Sequence, residues 1–417
     1  MRHVADEQPL AQQGSIPRGP AGAAAASISQ VGPLSWWGSL PADAKRALIV
    51  SYLGWVFDGY ETFALVIVAN TALQQILPAD LRGAALTYQG IVIAITLLGW
   101  ACGGVLWGIL ADYIGRKPTM IQSILIYSVF TGLTFFVQSW QMLAVLRFLT
   151  GLGLGAEWST GVALVVEKWP ERSRAKAAAV LQSGIAVGFF IASFAWFLFQ
   201  GIGPDGWRYM FLVGILPALV VLYLRRSVRE SERWALVAAR RRRLESGVPQ
   251  TEDDLRLRQF TLKALFTEPK MRRDTIVALL MSLATNVGWW GVATWVPVFI
   301  GLQMRARFQA SADLWSSYAG IVYNGLAIVG LITFAFVADW VGRKPTLLLY
   351  FGLSILVVPL LFLGTWPPAV LLIIAGLTGV FTSGQYSWFA VYVPELYPTR
   401  VRATARLERA LEGCRSG

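Results

Sequence analysis

Histidine is almost missing from this chain: one residue in 417, His3, in a leader rich in Ala, Gly and Ser. That excludes metal or acid–base chemistry built on imidazole and leaves proton handling to carboxylates. Cysteine is nearly as scarce. Cys102 lies in an apolar run and Cys414 near the C-terminus, so no disulfide framework is implied. Charge is thin, at 14% of residues against roughly 25% in soluble domains. A water-soluble globular fold is thereby excluded. What the chain has instead is 55% hydrophobic residues, 18 Trp and 40 Gly, and the apolar excess must face lipid. The net charge of +12 raises nucleic acid as a partner, and its placement decides against it.

A bilayer core needs roughly 20 apolar residues per helix, and the uncharged runs supply them repeatedly. Residues 1–45 read as a disordered cytoplasmic leader without a secretory signal pattern. Span one follows Arg46 to about Leu73, interrupted by Asp58 and Glu61, and Tyr88 to Ala111 is span two. Pro118 to Leu146 is too long for one helix and splits at Gln138-Ser139-Trp140-Gln141 into spans three and four, the fourth reaching about Val166. Ala177 to Pro204 and Tyr209 to Leu224 are five and six, closing an N-terminal bundle over 46–224. Residues 225–273 form a charged cytoplasmic linker containing Arg240 to Arg243, an anchor for anionic lipid. Thr275 to Ile300 and Leu314 to Ala338 are seven and eight. Pro345 to Pro394, broken at Trp366-Pro367-Pro368, gives nine and ten, so the C-terminal bundle covers 274–396 and a polar cytoplasmic tail 397–417.

With the N-terminus inside, 31 of the 36 Lys and Arg fall on the cytoplasmic side. The positive-inside rule fixes that orientation and explains the basic charge without nucleic acid.

Two motifs recur at one offset. Ala111-Asp112-Tyr113-Ile114-Gly115-Arg116-Lys117-Pro118-Thr119 returns 227 residues later, from Ala338 through Asp339, Gly342, Arg343 and Lys344 to Thr346, with seven identities in nine. Glu167, Pro170, Arg172, Arg174 and Ala175 return 228 residues later as Glu395, Pro398, Arg400, Arg402 and Ala403. Duplication at a common offset indicates two parallel halves enclosing a central cavity. The same offset places counterparts of spans five and six beyond about residue 405, where the sequence turns polar. The expectation is therefore an all-α membrane protein of ten helices, two six-helix repeats with the second cut to four, and a truncated or frame-shifted coding sequence behind it.

The loop Gly108-x-x-Ala111-Asp112-x-x-Gly115-Arg116-Lys117 with its second copy resembles the marker of the major facilitator superfamily. Ala335 stands where the second copy would have its leading Gly. Arg147-x-x-x-Gly151-x-Gly153-x-Gly155 is similar to that family's second marker. Val228-Arg229-Glu230-Ser231-Glu232-Arg233-Trp234 resembles a stretch of its sugar and organic-acid porters, and Asp58-Gly59-Tyr60-Glu61 resembles a motif of its aromatic-acid and sialate proton symporters. The resemblance implies a major facilitator fold and transport by alternating access. It also implies that helices one and four lie side by side, that the acid at Glu61 takes a proton while facing Arg147, and that Asp112 latches near an eleventh helix missing here.

Ionised residues at mid-bilayer cost roughly 2.5 to 3.5 kcal/mol each on insertion scales. At 1.5 Å per residue Asp58 and Glu61 sit about 18 and 22 Å in from the cytoplasm, and Arg147 about 20 Å, at matching depth. Protonating Glu61, or Asp58, would remove attraction to Arg147 and shift the outward–inward equilibrium. The rival reading is a static buried ion pair that fixes helix register. Glu157, nearer the cytoplasmic mouth, serves coupling or structure. Asp112, Gly115, Arg116, Lys117, Asp339, Gly342, Arg343 and Lys344 are gating-loop residues, as are Glu167, Arg172, Arg174, Glu395, Arg400 and Arg402. Polar or aromatic interruptions of the spans nominate Tyr60, Gln182, Asn286, Trp289, Trp290, Tyr323, Asn324, Gln385 and Tyr386 for the substrate cavity, with belt or packing roles as the alternative. An aromatic cavity beside one cationic centre suits a small organic acid, which could compete with Glu61 for Arg147.

The expectation is a monomeric, proton-coupled symporter of an organic acid or related metabolite in a bacterial inner membrane, both termini cytoplasmic. It needs no cofactor or metal and is not an enzyme. The alternatives are a sugar porter or drug/proton antiporter of the same family, or a truncated remnant or membrane sensor.

Overall fold

The computed structural model describes Gly38, residues 40–169, 174–219, Ala235, Ala239 and residues 269–388. All regular structure among the described residues is helical: α1 (Ala42–Ile76), α2 (Ala85–Ile114), α3 (Arg116–Thr134), α4 (Trp140–Lys168), α5 (Arg174–Phe199), α6 (Gly206–Val213), α7 (Pro269–Ala293), α8 (Trp295–Phe308), α9 (Ala312–Val341), α10 (Arg343–Leu363) and α11 (Pro368–Gly384). Within the described residues the ten apolar runs are largely helical. Seven helices among the described residues are long and apolar enough to cross a membrane. The leader up to Trp37, most of the linker and the tail lie outside the described residues.

Two spans differ from their sequence outline. Span seven is two helices, α7 and α8, and the described part of α7 runs from Pro269. The described part of α7 carries exposed Arg272 and Arg273 at its start, outside the apolar zone. The break after Ala293 falls four residues before Pro297, whose ring crowds that carbonyl and which donates no N–H. Span six breaks the same way: α6 ends at Val213, four residues before Pro217, and the chain turns through 214–216 before it is helical again at 217–219. Pro359 lies inside α10 without ending it, so proline alone does not dictate a break.

Burial separates centre from periphery. The apolar window of α1 is 83% buried, against 33% for the span that contains α2. Val105 on α2 and Ile355 on α10 are 62% and 70% exposed, so these faces are the lipid surface that the composition demanded. Tyr113 and Trp340, equivalent positions of the repeat, are both exposed at helix ends, as interfacial aromatics are.

Backbone contact through glycine holds the helices together. A Cβ on Gly103 would strike the Leu152 carbonyl, and one on Gly151 the Thr96 carbonyl. Shifted by 227 or 228 residues the same pairs recur: Gly330 against Val380 and Gly379 against Tyr323. The sequence repeat is thus a repeat of helix–helix contacts, α2 with α4 and α9 with α11, of the small-residue kind that packs membrane helices. Between the halves, α5 lies on α9, where Ala186 packs with Ala327 and Leu331. Nearer the start of α9, Thr71 Oγ1 donates to Asp313 Oδ1 at 2.9 Å.

The duplicated loops fold alike. Gly115 (φ 107°, ψ 161°) and Gly342 (φ 100°, ψ 156°) adopt a conformation that is essentially reserved for glycine. Thr119 Oγ1 and Thr346 Oγ1 then donate to the Gly115 and Gly342 carbonyls at 2.7 and 2.8 Å. Gly115→Ala or Gly342→Ala should each destabilise the protein by about 1–3 kcal/mol in thermal unfolding. Gly83→Ala, where a Cβ meets open space, should leave the midpoint unchanged.

Candidate functional site

The most buried helix carries the acids. Asp58 and Glu61 lie one turn apart on α1, fully buried, and Arg147 is buried on α4. Arg147 Nη1 stands 3.8 Å from Glu61 Oε2, with both side chains 1% exposed. The sequence expectation of matched depth is met by this pairing, and two residues that the sequence did not nominate complete it. Thr131 Oγ1 on α3 donates to Glu61 Oε2 at 2.7 Å. Arg147 Nη2 donates to Thr134 Oγ1 at 2.6 Å and to Thr131 Oγ1 at 3.4 Å. Phe211 of α6 offers its ring face to the guanidinium, 4.9 Å from Cζ.

Removing one partner of such a buried pair costs about 3–5 kcal/mol, because the other charge is left uncompensated. The other carboxylate oxygen, Glu61 Oε1, has no hydrogen bond among the described residues. It abuts Gly214, in the broken stretch of span six, where a Cβ would overlap it.

The four residues Asp58-Gly59-Tyr60-Glu61 do different work. Gly59 lets α1 touch α5, since a Cβ there would strike the Ile185 carbonyl. Tyr60 turns toward α6 and donates to the Met210 carbonyl at 2.9 Å, satisfying an oxygen near the helix break.

The cavity candidates divide. Trp289, Trp290 and Tyr386 gather with Phe189 of α5, a residue missed in the sequence. Trp289 is centred 5.0 Å from Trp290, 4.9 Å from Tyr386 and 5.6 Å from Phe189. Phe189 also stacks on Phe63 of α1 at 4.6 Å, which ties the cluster to the helix that carries Glu61. Asn286 accepts from the Tyr386 hydroxyl at 2.9 Å. Asn324 bridges the halves through Ser193 at 3.4 Å, and the Gln182 amide is buried without a hydrogen-bond partner among the described residues. Tyr323 pairs with Thr382 inside the second half at 2.9 Å, and Gln385 is buried in the turn after α11. Competition of a bound acid with Glu61 for Arg147 has no opening in this conformation, because Glu61, Thr131, Thr134 and Phe211 enclose the guanidinium.

Of the gating residues, Gly115 and Gly342 form the paired turns, Lys117 and Arg343 are half-buried, and Lys344 is exposed. Asp112, Arg116, Glu157, Glu167, Arg174 and Asp339 have helical backbone, but their side chains lie outside the described residues. Arg172, Glu395, Arg400 and Arg402 lie outside them entirely.

Residues 47–406 match the model of the Major Facilitator Superfamily. The chain belongs to that superfamily. A metabolite transport protein of Haemophilus influenzae is 32% identical over 87% of this chain and 83% of its own. The sialic acid transporter NanX of Escherichia coli is 29% identical over 88% and 83%. A partially occluded, inward-open structure of the xylose transporter XylE from Escherichia coli superposes with TM-score 0.63 at 20% identity, covering 88% of each chain, and shows the same fold. This superfamily member is a multi-pass membrane transporter of small molecules rather than an enzyme.

The major facilitator repeat gives the ion pair a further property. Shifting Arg147 by 228 lands on Ala375, and shifting Glu61 lands on Gly288 or Trp289. The charged pair has no copy at the repeat positions, where Ala375 and Gly288 or Trp289 stand. Gly214→Ala should displace the Glu61 carboxylate and destabilise the protein by about 1–3 kcal/mol in thermal unfolding. Gly288→Ala, with open space around its Cβ, should leave the midpoint unchanged.

Proposed function

We propose that the protein is a proton-coupled symporter of small organic acids in a bacterial inner membrane, working as a monomer with its basic loops and termini in the cytoplasm. The observation that carries the reading is the Glu61–Arg147 pair, 3.8 Å apart and shut away from water. Ionisable groups inside a membrane mark ion pathways by default, and this one holds two helices by charge. A proton arriving at Glu61 neutralises one partner and frees α1 to shift against α4. The membrane potential contributes about 2.3 kcal/mol per 100 mV for each charge moved, a useful fraction of what an uncompensated buried charge costs.

The substrate class follows from the cluster between the halves and from the relatives. Trp289, Trp290, Tyr386 and Phe189 present flat apolar faces beside the amide of Asn286, which suits a planar or extended acid. Relatives of this chain are named for sialic acid, cis,cis-muconate and gentisate, all acids. Coupling between substrate and proton runs along α1, where Phe63 stacks on the cluster and Glu61, two residues earlier, holds Arg147. The repeat pairs an N-terminal bundle over 46–224 with a C-terminal one from 274, rocking about the cluster.

Proteoliposomes loaded with buffer and given gentisate, cis,cis-muconate or sialic acid should alkalinise the outer medium as one of these enters. Glu61→Gln should abolish uphill accumulation of that acid while keeping counterflow exchange. Uphill uptake at the wild-type rate in Glu61→Gln would exclude Glu61 as the coupling group.

A further inference from the structure

Arg147 is held from two sides, and only one of them is Glu61. On α3, Thr134 Oγ1 donates its own proton to the Phe130 carbonyl at 3.0 Å, which turns its lone pairs toward Arg147 Nη2 at 2.6 Å. Thr131 Oγ1 spends its proton on Glu61 Oε2 and likewise presents a lone pair to Arg147 Nη2. Both hydroxyls are oriented as acceptors for the guanidinium, and Phe211 covers its face.

We propose that Thr131 and Thr134 are positioning residues that keep Arg147 docked on α3 when Glu61 is neutral, so that protonation releases α1 and leaves Arg147 in place. This inference rests on the symport reading. The atom that takes the proton is Glu61 Oε1, which has no hydrogen bond among the described residues and lies against Gly214. A proton added there ends the charge attraction and weakens the Thr131–Oε2 bond, the tie then left between Glu61 and α3, from a charge-assisted one to an ordinary neutral one. The titratable and charged groups around Glu61 are Arg147 on α4, Asp58 and Tyr60 on α1, and Tyr127 one turn before Thr131 on α3. The described part of span six brings Gly214 and Phe211 to the pair, and Arg208, one turn before Phe211, spends its charge on the Phe135 and Val137 carbonyls at the end of α3.

If the threonines take over the guanidinium when Glu61 is neutral, their loss must hurt more once Glu61 is permanently neutral. Thr134→Val, and Thr134→Ala as a second variant free of β-branching, are placed in the wild-type and Glu61→Gln backgrounds. Thermal midpoints are read in detergent, and counterflow is read with whichever of gentisate, cis,cis-muconate or sialic acid the wild type exchanges. The midpoint drop should be about twofold larger in Glu61→Gln, and counterflow should fall about tenfold there against about threefold in wild type. Thr134→Ser, which keeps the hydroxyl, should restore both. Equal losses in the two backgrounds, or no rescue by serine, overturn the inference. Uphill uptake by Glu61→Gln in the same preparations reports separately on the symport reading, so failure of either is distinguishable.

Discussion

A carboxylate and a guanidinium 3.8 Å apart, sealed inside a bundle that stands in lipid, constrain everything around them. Neither charge can be exposed to hydrocarbon, so the helices that bear them must be central. That is where α1 lies, more buried than any other long span among the described residues. Close approach of α1 to its neighbours follows through Gly59 and Gly188, whose missing side chains let α1 and α5 meet carbonyl to Cα. Span six gives way where the carboxylate needs room, with its helix ending at Val213 and Gly214 against Glu61. Broken helix is tolerated at membrane depth only where protein buries it, and the Tyr60 hydroxyl on Met210 shows one freed carbonyl being satisfied.

The duplicated architecture then makes an asymmetric machine. Gly103 and Gly151 have working copies in Gly330 and Gly379, down to the carbonyls they touch, and the Gly115 turn has its copy at Gly342. The charge pair was not copied: Ala375 and Gly288 or Trp289 occupy its places. One half therefore carries the pair, while the other supplies Trp289, Trp290 and Tyr386 to the cluster at the interface. Since α1 contributes to both, through Glu61 and Phe63, it joins the ion pair to the aromatic cluster.

Much of this could be read from the residues because a bilayer imposes its own arithmetic. Span lengths, the split at Ser139-Trp140 and the break at Trp366-Pro367-Pro368 follow from hydrophobic thickness and proline, and α4 does begin with Ser139 capping Met142. The pairing of Glu61 with Arg147 came from depth along two antiparallel helices together with a family resemblance. The threonines were not legible, because a hydroxyl in a membrane helix ordinarily bonds its own backbone, as Thr62 and Thr96 do here. Thr134 does the same with the Phe130 carbonyl and only its lone pairs are left for Arg147, so the spacing of two hydroxyls three residues apart was the one visible signal. The division of span seven was hidden for a similar reason: Pro297 ends α7, whereas Pro359 leaves α10 whole.

Infrared difference spectroscopy of the protein in lipid, on binding its substrate, reads carboxyl protonation directly. The account predicts a change in the carbonyl stretch of a protonated carboxylic acid that is present in the wild type and lost in Glu61→Gln. The same band persisting undiminished in Glu61→Gln would contradict it.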